Sequence, residues 1–259
     1  KIDISKQSIS DYENGKKKPS AEIMIRIISE LKLPYSYFTN DSYHEEKSIK
    51  YLNFRKYSST TDRSQKQAVQ IKNLISDIYF YLESNLDLPK ENVPSIKNCN
   101  FELLSNSDIE KISLYTRRYW GLGDGPLSNI IKLLENNGIV CSKIQMLDKI
   151  DAYSTWINNK PIIILNNSKS AVRMRFDAAH ELGHLILHKD IDKNIFSKAT
   201  HNLMELQANK FASSFLMPEN TFYKEIISPT IEGFLFLKKR WGVSIQAMIM
   251  RYFELGYIN

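Results

Sequence analysis

Four of the five histidines in this 259-residue chain fall in one short window, at positions 180, 184, 188 and 201. Two of them belong to His180-Glu181-Leu-Gly-His184, the pattern H-E-x-x-H. The neighbours Phe176, Leu182, Leu185, Ile186 and Leu187 are apolar. Such a segment folds as a helix, in which four residues advance by about 400°, so the two imidazoles stack one turn apart on one face. A largely apolar helix belongs in the interior, where charged groups need a purpose. Two imidazoles at this spacing can share one metal ion. Glu181 lies beside them and can reach a water on that metal without being a ligand. Zinc lowers the pKa of such a water from ~15.7 toward about 7. A nearby carboxylate can take its proton and pass it to a leaving amine. The spacing therefore points to hydrolysis by an activated water.

A catalytic zinc takes a third protein ligand and keeps a fourth position open. Asp190 stands where the extended pattern H-E-x-x-H-x-x-G-x-x-H places its last ligand, but Leu187 replaces the glycine that lets the chain turn back. His188 lies one further turn along the same helix, and three ligands from one straight helix cannot surround a tetrahedral metal. Packing or hydrogen bonding is expected of it instead. His201 sits just ahead of the next helical pattern and is expected to cap it or to face solvent. Glu205 is the best of the four. It falls in a helix expected over 202–216, and a carboxylate with two imidazoles completes a His₂Glu set. Asn209, one turn later on the same face, can accept a hydrogen bond from the far nitrogen of a ligand histidine and so fix its tautomer.

The rest of the composition narrows the class. Apolar residues make up 42% and charged residues 25%, which excludes a wholly disordered or collagen-like chain. No uncharged apolar run approaches the roughly 18 residues that cross a bilayer, so no membrane partner is expected. The two cysteines, Cys99 and Cys141, are too few and too far apart for a disulfide framework or a Cys-type zinc site. Lys1-Ile-Asp-Ile-Ser5 has no secretory character and no initiator Met. A cytoplasmic protein with residues ahead of Lys1 is expected. The net charge of +6 permits a nucleic-acid partner without demanding one.

Three regions follow from the patterning. Residues 1–40 contain two short helices, one closed by Gly15 and one capped by Ser20 and stopped by Pro34. Residues 41–104 form a linker and a long connecting helix over about 64–84, whose stripe Ala68, Ile71, Leu74, Ile75, Ile78 and Leu82 is expected to pack on its own domain. Residues 105–259 form one globular domain: helices at 106–119 and 127–136, β runs at 139–144, 152–157 and 161–165 with a hairpin at Asn158-Asn159, then further helices. The fold class is thus α+β and mostly helical, with a small three-stranded sheet.

Several ordered motifs make residues 106–255 resemble the ImmA/IrrE family of metallopeptidases. They are Arg173-Met-Arg-Phe-Asp-Ala-Ala-His-Glu-Leu-Gly-His-Leu-Ile-Leu-His188, Glu205-Leu-Gln-Ala-Asn-Lys-Phe-Ala-Ser-Ser-Phe-Leu-Met-Pro218, the run Ala152–Leu165, Trp241-Gly-Val-Ser244, and Arg251. The resemblance implies a gluzincin-like zinc peptidase fold and a regulatory protease that cleaves helix-turn-helix transcriptional repressors. Ser5-Lys-Gln-Ser-Ile-Ser-Asp-Tyr-Glu-Asn-Gly-Lys-Lys-Lys-Pro19 is similar to the recognition helix and following turn of XRE-type helix-turn-helix domains. That implies a partial all-α domain, its first helix and most of its second lying outside this sequence. On this resemblance Lys6, Gln7, Ser8 and Ser10 face bases in the major groove, and Lys16, Lys17 and Lys18 approach the DNA backbone.

The leading expectation is an intracellular zinc endopeptidase, with manganese able to substitute, joined to a DNA-binding module. His180, His184 and Glu205 would hold the metal and Glu181 would act as base and then acid. Its partners would be a protein substrate, above all a transcriptional repressor, and DNA, with a homodimer if the site read is a palindrome. The alternative is a DNA-binding regulator, or an antitoxin-like partner, whose peptidase-like domain senses or binds. Tyr153 and Tyr223 are candidates for stabilising an oxyanion.

Overall fold

The computed structural model describes residues 3–39, 53–54, 62–96, 100–146, 150–189, 191 and 197–258. Cys99 and Asp190 lie outside the described residues. The chain divides into two compact units, Lys1–Lys47 and Ser48–Asn259.

The first unit holds α1 (Lys6–Glu13), α2 (Ala21–Leu31) and α3 (Tyr35–Thr39), with no buried residue in any of them. The side-chain oxygen of Ser5 accepts from the Ser8 amide to open α1, and Ser20 does the same from Ile23 for α2. After α1 the chain reverses at Gly15, whose φ of 68° suits a residue without a side chain. The expected stop at Pro34 comes earlier: Lys32, left-handed at φ 54°, already closes α2.

In the second unit a four-stranded sheet has the order β1-β3-β4-β2. Its strands are β1 (Asn53–Phe54), β2 (Val140–Ile144), β3 (Ala152–Ile157) and β4 (Lys160–Asn166). The three expected strands are present, and the two-residue β1 adds a fourth by pairing antiparallel with Ser154 and Tyr153. A pair of residues with no alternation of its own carries no strand signal in the sequence. The β3–β4 hairpin turns through Asn158 and Asn159, both at positive φ (47° and 62°), as a tight hairpin turn requires. Strand β2 runs parallel to β4.

Both faces of the sheet are covered, which explains the unbroken apolar run in β4. Ile163 and Leu165 join Ala178, Ala179, Leu182 and Leu185 of α7 (Ala171–Leu187) in the main core. Ile162 and Ile164 turn the other way, onto Ala68 and Ile75 of α4 (Asp62–Asn85). Only part of the α4 stripe is used. Ile78 and Leu82 are exposed, because 24 helical residues extend about 36 Å, well beyond the seven residues of β4 beneath them; Leu74 is exposed too, although Ile71 and Ile75 on either side of it pack toward the sheet.

The described residues of this unit form six further α-helices. They are α5 (Asn106–Tyr119), α6 (Ile130–Asn136), α8 (Lys198–Leu216), the single turn α9 (Glu219–Phe222), α10 (Ile231–Trp241) and α11 (Ile245–Glu254). Helix α8 starts four residues before the expected boundary, because Ser197 caps it through the Thr200 amide. Among the described residues no helix is long and apolar enough to cross a membrane.

Candidate metal centre

Helix α7 leaves β4 through a short turn and is capped by Ser170. Every residue from Asp177 to Leu187 is buried. One surface of α7 lies on the sheet, and Ser154 of β3 donates to the Glu181 carbonyl at 3.4 Å. Another lies on α8, where Gly183 makes a close approach possible. A Cβ at Gly183 would stand 3.1 Å from a ring carbon of Phe211 and 3.3 Å from Cα of Ala208.

This packing brings Glu205 to the two histidines. The Nε2 atoms of His180 and His184 are 3.0 Å apart. Glu205 places one carboxylate oxygen 3.5 Å from His180 Nε2 and the other 3.3 Å from His184 Nε2. One ligand atom from each of the three residues falls within 4.8 Å of the others. Burial alone raises the pKa of Glu205, but its contacts with His180 and His184 outweigh that and hold it well below the usual carboxylate range.

The donor set suits a divalent cation. Two imidazole nitrogens and a carboxylate converge, and Glu205 Oε1 is buried against His184 Nε2 at 3.3 Å, away from water. Anionic oxygen is not left in that state without a compensating positive charge. Glu181 follows His180 directly and is 1% exposed.

The flanking nitrogens are also engaged. His180 Nδ1 lies 2.9 Å from Asn209 Oδ1, the contact expected from the sequence. His188 is not part of the three-residue cluster. It is buried, 3.0 Å from His184 through the two Nδ1 atoms and 2.9 Å from Gln207 Oε1 through Nε2. Burial, reinforced by His184, pushes its pKa down to about 3. His201 lies inside the first turns of α8 rather than ahead of it. Tyr153 is committed elsewhere: its hydroxyl donates to the Ala68 carbonyl at 2.8 Å, on the α4 side of the sheet. Tyr223 stacks on Tyr257.

The sequence pattern carries no signal for Gln207 or Phe101. On a helix a residue two places from Glu205 is turned by about 200°, so spacing gives no reason to join it to the cluster. Beside Asn209 a cleft of about 740 Å³ opens, lined also by Arg173, Phe176, Leu206 and Met250.

In the first unit Lys6 and Gln7 are exposed, while Ser8 and Ser10 are half-buried. The Gln7 amide donates to Asp11 at 3.0 Å, and Lys17 pairs with Asp11 at 3.5 Å. Lys16, Lys17 and Lys18 are all exposed in the turn after α1.

Two stretches of the chain match known family models. Residues 135–253 match the family model described as an IrrE N-terminal-like domain. Residues 1–38 match the helix-turn-helix model. No curated protein matches. Among solved structures, a Mycobacterium tuberculosis transcriptional regulator aligns with 18% identity and a TM-score of 0.40, over 55% of this chain and 45% of that one. The chain thus spans less than half the length of that protein. The cluster on α7 and α8 and the capped helices of the first unit fall inside the two matched regions, and the chain carries an IrrE N-terminal-like peptidase-family domain behind a helix-turn-helix domain.

Proposed function

We propose that this chain is a zinc-dependent endopeptidase that cleaves a regulatory protein, a helix-turn-helix transcriptional repressor being the favoured substrate. The observation that carries this reading is the convergence of His180, His184 and Glu205 with Glu181 beside them. A divalent cation held there supplies Lewis acidity, which makes a water acidic near neutral pH. The protein's own groups do the rest. Glu181 takes the proton of the attacking water on its carboxylate and returns it to the departing amine nitrogen. Asn209 holds the His180 ring by its Nδ1, leaving Nε2 directed at Glu205. Burial of α7 keeps bulk water from these charges and strengthens each interaction.

The helix-turn-helix unit supports a DNA-reading role. Lys6 and Gln7, with Ser8 and Ser10, are the proposed base contacts, and Lys16 to Lys18 the proposed phosphate contacts. Binding of this kind weakens steeply with salt.

The test is a cleavage assay with the repressor encoded nearest to its gene, with zinc or manganese supplied and products read by mass spectrometry. A discrete cut is expected. It should vanish with a chelator and fall by at least ~10²-fold in Glu181→Gln, which keeps the metal. Retained cleavage in that variant would sink the mechanism.

A further inference from the structure

The geometry points to His188 and Gln207 as positioning residues that set the tautomer of His184. This inference rests on the proposed metal-holding role of His180, His184 and Glu205.

One line of hydrogen bonds reaches His184 from outside the cluster. It starts at Phe101, on the short 3₁₀ turn ahead of α5. Its carbonyl oxygen lies 2.6 Å from Gln207 Nε2. A carbonyl only accepts, so the side-chain nitrogen of Gln207 must point to it, and Oε1 must point the other way. That oxygen lies 2.9 Å from His188 Nε2. It only accepts, so His188 Nε2 carries the hydrogen.

His188 is 4% exposed, and its two ring nitrogens are both taken, by Gln207 and by His184. A charged imidazole there would need a carboxylate on its ring, and neither partner is one. The ring is neutral, with a single N–H. Its Nδ1 is then a lone pair, 3.0 Å from His184 Nδ1. His184 must donate from Nδ1, which leaves the lone pair of its Nε2 facing Glu205 and His180. A free imidazole favours neither arrangement strongly. The line of bonds from Phe101 selects the one tautomer that can ligate from Nε2.

Phe101 adds a second restraint. Its ring meets the His188 ring edge-on, with centroids 5.8 Å apart at 89°. One backbone carbonyl and one ring, more than 80 residues away along the chain, thus orient the histidine that orients a ligand.

Two measurements test this. The first uses ring nitrogen shifts in the metal-free full chain. His184 is expected to show a protonated Nδ1 and an unprotonated Nε2. The reverse tautomer overturns the proposal. The second is zinc affinity by competition with a chromophoric chelator, with circular dichroism of the metal-free variants to check that they fold. His188→Leu removes the acceptor and should weaken zinc binding by about 10–100-fold. His188→Asn keeps an acceptor at the Nδ1 position and should recover most of that loss. Gln207→Leu should weaken binding less than His188→Leu. Undiminished affinity in a folded His188→Leu, or no recovery in a folded His188→Asn, overturns the relay. If His188→Leu does not fold, the ring shifts of the native chain decide. Wild-type protein that holds no zinc would instead overturn the proposed function, while the metal-free tautomer would still decide the relay.

Discussion

Arg251 on α11 grips Glu110 on α5 with both arms of its guanidinium, Nη1 to Oε2 at 2.8 Å and Nη2 to Oε1 at 2.5 Å. The two residues are 141 positions apart. Arg251 is fully buried, and its Nε also donates to the Met217 carbonyl at 3.0 Å. Ser214 of α8 donates to the same carboxylate at 2.6 Å. One ion pair therefore clamps three helices, including the one that carries Glu205.

Removing one partner of such a pair leaves the other charge unanswered. Arg251→Ala should destabilise the second unit by ~3 kcal/mol or more. Urea unfolding followed by circular dichroism measures it. A midpoint equal to that of the wild type would show that the pair is energetically idle.

The same pair gives a pH dependence. Burial alone raises the pKa of Glu110, but Arg251 leads a set of contacts that outweighs it, and the net shift is downward from 4.5. A carboxyl that is more acidic when folded contributes stability that is fully present above its unfolded pKa. That contribution drains away as pH falls through the folded value. Stability should decline below about pH 4.5, with a shallower decline in Glu110→Gln. Identical slopes for the two proteins would contradict this.

Close contact between α7 and α8 has its own test. A side chain at Gly183 meets Phe211 and Ala208 at little more than 3 Å. Gly183→Leu should destabilise by about 1–3 kcal/mol through overpacking. It should also weaken zinc binding, because it forces Glu205 away from the histidines. Thermal unfolding and chelator competition read the two effects separately.

Glu205 faces both ligand-type nitrogens. Glu205→Ala should abolish tight zinc binding while the metal-free protein stays folded, since its side chain is not part of the apolar core. Zinc bound as tightly as by the wild type would exclude Glu205 from the metal set.

Much of the second unit is legible in the sequence because its signals are local. The Asn158-Asn159 turn and the one-turn spacing of His180 and His184 both act within a few residues. Of the misses, one is a local cap and the others are set by non-local packing. The α8 boundary moves because Ser197 offers an earlier cap. Part of the α4 stripe stays exposed because the sheet beneath it is short. Tyr153 turns from the metal side because alternate residues of β3 face opposite ways, toward α4 and Ala68.

What sequence alone determines here is periodicity and chemistry: a buried helix bearing two stacked imidazoles with a carboxylate between them, and a second helix bearing Glu205 and Asn209. Only tertiary structure decides which atoms meet. The approach of α8 across Gly183 brings Glu205 to the imidazoles, and the line from Phe101 through Gln207 and His188 reaches His184. Those contacts join residues far apart in the chain. They depend on how two helices and a turn settle together, a packing balance that no short stretch of sequence contains.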